Sequence, residues 1–226
     1  MSLKQMLLTL IMIVVVSASQ AQLSNWNGYN GMPVRVSGYD NIVGSPYLHD
    51  EWTDAEVLLA NGKKKFTFVK YNVFENRMVL KANDLELVFE PKDILEVKYN
   101  KPLGPDDNLG FIFKNGFRVM DFSKDDYFRV YYSSKSIEIL GKSKVIKQRV
   151  TPPAYGEEPY EQFVTKEEFY IKRDAVWKEF KLNSKSFQKV FPGYKSEIKK
   201  FLKSNELDLR RPKDIQKLMQ HILAPA

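Results

Sequence analysis

Apolar and polar residues alternate along most of the chain, and the period of the alternation changes once. From Trp52 onward, short runs of period two are separated by turn residues, which predicts strands over 55–59, 65–73, 77–82, 85–90 and 94–99. Asn61-Gly62 separates the first two, as a two-residue hairpin turn with both positions at positive φ. Glu75-Asn76, Asn83-Asp84 and Pro91-Lys92-Asp93 separate the others. Connections this short join antiparallel neighbours, because a parallel crossover needs about a dozen residues.

After a Pro/Gly/Asp loop over 101–110 the rhythm resumes with 111–114, an Asn115-Gly116 turn and 117–120. Strands over 127–133 and 137–142 form a hairpin around Ser134-Lys135-Ser136. A Pro-rich loop covers 151–159, and a last hairpin joins 169–172 to 175–180 at Arg173-Asp174. At Ser184 the period becomes 3.6. Phe187, Val190, Phe191, Tyr194, Ile198, Phe201 and Leu202 share one helical face, interrupted at Pro192-Gly193, with Ser184 as N-cap and Asn205 as stop. A final helix starts near Pro212 and carries Ile215, Leu218, Met219, Ile222 and Leu223 on one stripe.

The expected fold is therefore α+β. An antiparallel β-rich body over 51–182, built as a sandwich, a roll or a barrel-like meander, is followed over 183–226 by two to three short basic helices packed on it. The stretch 22–50 is rich in Asn, Gly, Ser and Tyr and reads as an irregular lead-in with at most one strand, at Val34-Arg35-Val36. Most of the 15 Phe and 12 Tyr alternate with polar residues, as in Phe66-Thr67-Phe68 and Phe128-Arg129-Val130, and are expected in the core. Tyr131-Tyr132 puts one ring on each face, the outward one a candidate for a binding surface.

Residues 1–21 read as a secretory signal peptide. Lys4 is the basic end, Met6 to Val16 the apolar stretch, and Ser19 and Ala21 direct cleavage between Ala21 and Gln22. Eleven residues of helix rise only about 17 Å, against a hydrocarbon core of ~30 Å, so the stretch is too short for an anchor. A soluble mature chain with no transmembrane span, exported to the periplasm or beyond, is the expectation. Export also argues against nucleic acid as a partner.

Composition narrows the chemistry. With no cysteine there are no disulfides, thiolate metal sites or Cys nucleophiles, and no lipid-bearing Cys. With 2 His there is no His-based metal cluster, and no nucleophile elbow, zinc-protease or phosphate-loop motif occurs. Asp106-Asp107-Asn108 is oxygen-rich but lacks the Gly and Glu of a calcium loop. No cofactor is expected. The net charge of +7 is unevenly placed: residues 1–164 balance, and the surplus lies beyond them.

Two candidate sites follow. Gly44-Ser45-Pro46-Tyr47-Leu48-His49-Asp50-Glu51-Trp52 gathers an imidazole, two carboxylates, a phenol and an indole, with Asp40 just upstream. Asp40, His49, Asp50 and Glu51 are candidates for acid/base work if a cleft holds them, whereas Tyr47 and Trp52 are candidates for binding or core plugs. Lys185, Lys189, Lys195, Lys199, Lys200 and Lys203 lie on the amphipathic helices. They suit an anionic surface, such as acidic lipid headgroups or polyanionic glycans, or an acidic protein; otherwise they form a solvated face.

The leader, the string Gly44 to Trp52, the Leu-x-x-Gly hairpin, Lys70-Tyr71-Asn72, and the ending from Phe191-Pro192 through Phe201 to Asn205 together resemble exported proteins of Gram-negative bacteria that carry a GSPYLxDEW-type segment. The resemblance covers nearly the whole mature chain. It implies a periplasmic or surface location and supplies no activity. The leading functional expectation is a non-enzymatic envelope protein that binds a protein or glycan. A carboxylate-dependent hydrolase using Asp40, Asp50 or Glu51, and a carrier of an apolar ligand in a β cavity, are the alternatives.

Overall fold

The computed structural model describes residues 31–34, 38–82, 85–100, 111–152 and 158–223. The expected leader, Arg35-Val36, Asn83-Asp84 and Asp106-Asp107-Asn108 lie outside them. Twelve strands follow in chain order: β1 (Met32–Pro33), β2 (Ile42–Val43), β3 (Thr53–Leu59), β4 (Lys64–Asn72), β5 (Arg77–Ala82), β6 (Leu85–Phe89), β7 (Ile94–Tyr99), β8 (Ile112–Lys114), β9 (Phe128–Ser133), β10 (Ile137–Val150), β11 (Tyr160–Arg173) and β12 (Val176–Phe180). Helices α1 (Ser184–Val190), α2 (Lys195–Ser204) and α3 (Pro212–Leu223) complete the α+β fold.

All twelve strands join one sheet, ordered β1-β6-β5-β4-β3-β7-β8-β9-β10-β11-β12, with β2 beside β11. Every pairing is antiparallel except β2 with β11. The sheet curls. Inward residues of β3 to β8, among them Val57, Tyr71, Leu80, Val97 and Phe113, form a first core that is completed by Val145 and Phe163 from the far half of β10 and β11. The near half of β9 to β12 is covered on both faces. The helices bury Phe187, Ile198, Ile215 and Met219 on one side against Tyr131, Ile139 and Ile171. On the other side Phe117, Val119 and Phe122 cover Phe128, Leu140 and Tyr170.

Several expectations are corrected. Of Asn61-Gly62, only Gly62 is left-handed (φ 82); the turn runs four residues, with Leu59 N–H bonded to the Lys63 carbonyl, so an ordinary turn precedes a single left-handed position. Residues 117–120 are not a strand. Asn115 donates from Nδ2 to the Ile94 carbonyl at 2.9 Å, turns the chain off the sheet at Gly116 (φ 88), and sends Phe117 and Val119 into the third core. The strands predicted over 137–142 and 169–172 are the ends of two fourteen-residue strands, β10 and β11. The lead-in holds two short strands rather than at most one. The N-cap of α1 is Asn183, whose side chain accepts from Ser186 N–H at 2.9 Å, one residue before the expected Ser184. The break at Pro192, the stop at Asn205 and the start at Pro212 stand where the pattern put them.

The most consequential correction concerns Phe66 and Phe68. They are 71% and 51% exposed, outside the core. β4 carries apolar residues on both parities, and Val69 and Tyr71 take the inward face. Tyr131 and Tyr132 do not take opposite faces: the first is buried and the second packs half-buried against the same helical core.

Candidate functional site

The outer face of the first half of the sheet divides into two fields. Across β3, β7 and β8 several outward side chains are paired: Glu56 with Lys64 of β4 at 2.6 Å, Lys114 with Glu96 at 2.6 Å, and Asn100 Nδ2 donating to Asp54 at 3.1 Å. Across β4 to β6 and β1 the outward positions include the apolar Phe66, Phe68, Val79, Val88 and Met32, with Lys70 and Lys81 among them, set by the registers that oppose Lys70 to Val79 and Val88 to both Val79 and Met32. Two rings this exposed, beside strands whose outward side chains include the ion pairs Lys64–Glu56 and Lys114–Glu96, are the unusual feature.

Trp52 extends this field. It precedes β3, whose register opposes Thr53 to Val69, and so falls beside Lys70 on the outer face. The indole lies between two cations, Lys70 Nζ at 5.0 Å and Lys81 Nζ at 4.9 Å from its ring, contacts worth about 0.5–1 kcal/mol each at an exposed site. Tyr47 stands next in line, with Lys70 5.5 Å from its ring. The segment that carries it is tied to β4 by backbone bonds: Leu48 N–H to the Tyr71 carbonyl and Val73 N–H to the Pro46 carbonyl, both 2.9 Å. Trp52 and Tyr47 are thus half-buried surface residues held at fixed positions, and not core plugs.

Beyond Tyr47 the face opens into a cavity of about 490 Å³ walled by Met32, Tyr39, Tyr47, Glu75, Arg77 and Val79, among others. Arg77 spans Glu90 at 2.9 Å and Glu75 at 3.7 Å. Tyr39 donates its hydroxyl to Glu75. Burial first, and then the Glu75 carboxylate that accepts its proton, push the Tyr39 phenol up to about 12. The Tyr47 phenol is raised too, by burial and then by the Glu75 charge. Both hydroxyls stay protonated at physiological pH and offer neutral hydrogen-bonding groups at the mouth of the cavity.

The sequence-predicted residues separate. Asp40, His49, Asp50 and Glu51 are all exposed and none lines the cavity. Asp50 accepts from the Ser45 hydroxyl, while His49 and Glu51 border a dent with no room for a water molecule. Lys195, Lys199, Lys200 and Lys203 are exposed on α2, whose Ile198 is buried among the helices, in a different core from the one beneath Trp52. Among the described residues no three His, Asp or Glu side chains form a metal-binding group, and no helix is long and apolar enough to cross a membrane.

The sequence pattern assigns no functional role to Lys70, Lys81, Tyr39, Glu75 or Arg77, and it puts Phe66 and Phe68 in the core. One signal was present: Phe66 and Phe68 have the opposite parity to Val69, Tyr71 and Val73, so both sets cannot be inside one sheet. No protein-family model, no curated protein and no solved structure matches the chain.

Proposed function

We propose that the protein is an exported, non-catalytic binding protein of the cell envelope, that the outer face of β4 to β6 with Trp52 and Tyr47 is its ligand surface, and that the ligand is a glycan. The observation that carries the reading is the exposure of Phe66 and Phe68 beside a Trp52 ring fixed between two lysines. Exposed aromatic rings on the outer face of a sheet suit the apolar C–H faces of sugar rings. Lys70, Lys81 and the hydroxyls of Tyr39 and Tyr47 supply the few polar groups that orient hydroxylated ligands. Binding is preferred to catalysis because the candidate carboxylates Asp40, Asp50 and Glu51 are all exposed and none lines the cavity.

Co-sedimentation of the mature protein with purified cell-wall sacculi and with insoluble envelope polysaccharide tests this. The Phe66→Ser/Phe68→Ser variant is expected to melt as the parent does, within the effect of about 0.5 kcal/mol usual for surface changes. Its retention on the glycan is expected to fall about tenfold, as loss of roughly 1.4 kcal/mol requires. No retention of the parent on any glycan, with capture of envelope proteins through the same two rings, overturns the glycan reading in favour of a protein ligand. Equal retention of parent and variant removes the surface from consideration.

A further inference from the structure

β12 ends the sheet order, and among the described residues no strand lies beyond it. Its hairpin with β11 turns at Asp174 and Ala175, both left-handed (φ 52 and 63). In such a two-residue turn the flanking pair, here Arg173 and Val176, exchanges both backbone hydrogen bonds. Alternation then directs the N–H and C=O groups of Val176, Lys178 and Phe180 toward β11, and those of Trp177 and Glu179 outward. An edge of this kind is a template for one more strand.

The edge borders a groove of about 860 Å³ whose far wall is α1. Val176 and Phe180 give it apolar floor. Arg173, Lys178, Lys181, Lys185 and Lys189 bring five cations, against the carboxylates of Asp174 and Glu179. Arg173 is engaged by the Val190 carbonyl and by Asp174 at 3.5 Å. The four lysines have no carboxylate within ion-pair distance among the described residues. On β10, by contrast, Lys142, Lys144 and Lys147 each have one. Edge lysines repel the equally cationic edge of a second copy. The same field selects a strand of opposite charge.

We infer that this groove receives an acidic, extended segment of a partner protein, which adds to β12 as a further strand and sets alternate carboxylates against Lys178, Lys185 and Lys189. The inference is independent of the aromatic face, since it rests on a different edge and a different ligand chemistry.

The test uses the full mature chain and a fluorescein-labelled peptide of about eight residues in which Glu and Val alternate, enough to cover a typical strand. Binding followed by anisotropy is expected to weaken with added salt and to fall at least tenfold in Lys185→Glu/Lys189→Glu. Hydrogen exchange of the bound protein is expected to protect the Trp177 and Glu179 amides. Circular dichroism confirms that the variant is folded, and Lys178→Glu provides a second charge reversal on the strand itself. The inference is overturned if the peptide does not bind, if both variants bind it as the parent does, or if it binds without new protection at those amides. In the last case the lysines are a polyanion patch, which equal binding of heparin or of anionic phosphatidylglycerol vesicles would identify.

Discussion

Lys142 shows how much one side chain can organise. Its side chain is only 7% exposed, and its ammonium donates to Asp126 at 2.7 Å, to the Tyr127 carbonyl at 3.3 Å and to Asn76 Oδ1 at 3.4 Å. That Asn76 oxygen also accepts from the Tyr71 hydroxyl at 2.8 Å and from Tyr127 N–H at 3.3 Å, and Asn76 sits in the left-handed region (φ 56) that Asn tolerates better than most residues. The turn between β4 and β5 is thereby fastened to the start of β9 and to β10. Desolvation pulls the Lys142 pKa below its ordinary 10.5, and the Asp126 hydrogen bond only partly opposes it. Lys142→Met is expected to cost about 2 kcal/mol in urea unfolding, with part recovered when Asp126→Asn is added. The unfolded chain holds this proton more tightly than the native one, so the parent gains stability as pH rises through the depressed value toward 10.5. The gap between parent and Lys142→Met therefore widens over that window. A constant gap would mean that the lysine is solvated.

At the scale of elements, β10 and β11 explain why period alone found only their ends. Over 147–149 and 166–168 they are polar on both faces, and the apolar pair Val145-Ile146 between Lys144 and Lys147 does not alternate. What holds this ribbon together is pairing across the strands: Lys144 with Glu168 at 2.7 Å, Lys147 with Glu161 at 3.1 Å and Lys172 with Glu138 at 3.1 Å. Where β10 leaves the ribbon, its register against β9 shifts between Ile139 and Leu140, and Tyr131 is the extra residue of the bulge. Its ring lies on Gly141: a Cβ there would meet Tyr131 Cε2 at 2.7 Å and Phe169 at 3.4 Å. Gly141→Ala is accordingly expected to destabilise by about 1–3 kcal/mol, by overpacking rather than by any loss of backbone freedom. Gly141→Ala combined with Tyr131→Leu should regain part of that in thermal melts. If the single variant melts with the parent, the ring is not seated as described.

For the whole molecule, the question is what joins the two halves of the curled sheet. Residues 39–48 run as a strap between them. β2 pairs with β11 at Glu161 and Gln162, and Tyr47 bridges to Asn72 on β4. Beneath the strap Phe163 meets Tyr39 and Phe74 edge-on at 5.4 and 5.2 Å, while also packing on the first core. Aromatic pairs of this geometry add about 0.5–1.5 kcal/mol each beyond area burial. The two halves should therefore unfold as one cooperative unit. Phe163→Ala is expected to lower stability by roughly 3 kcal/mol while far-ultraviolet dichroism and tryptophan fluorescence still report one coincident transition. Separate midpoints in the parent protein would show that the halves are independent and the strap is ornamental.

Sequence alone determined what depends on near neighbours: the strand meander, because tight turns and period two are local; the helices, because their stripes recur every 3.6 residues; and the placement of surplus cations at the end of the chain. Tertiary structure alone decided which parity of β4 faces inward. Phe66 and Phe68 are as apolar as Val69 and Tyr71, and only the arrival of Val145 and Phe163 over the other face settles the matter. It also decided that Lys142 is buried while Lys178, Lys185 and Lys189 remain in solvent around a groove. A side chain's local period tells which way it points relative to its neighbours; what covers it comes from residues distant along the chain, and burial and chemistry follow from the cover.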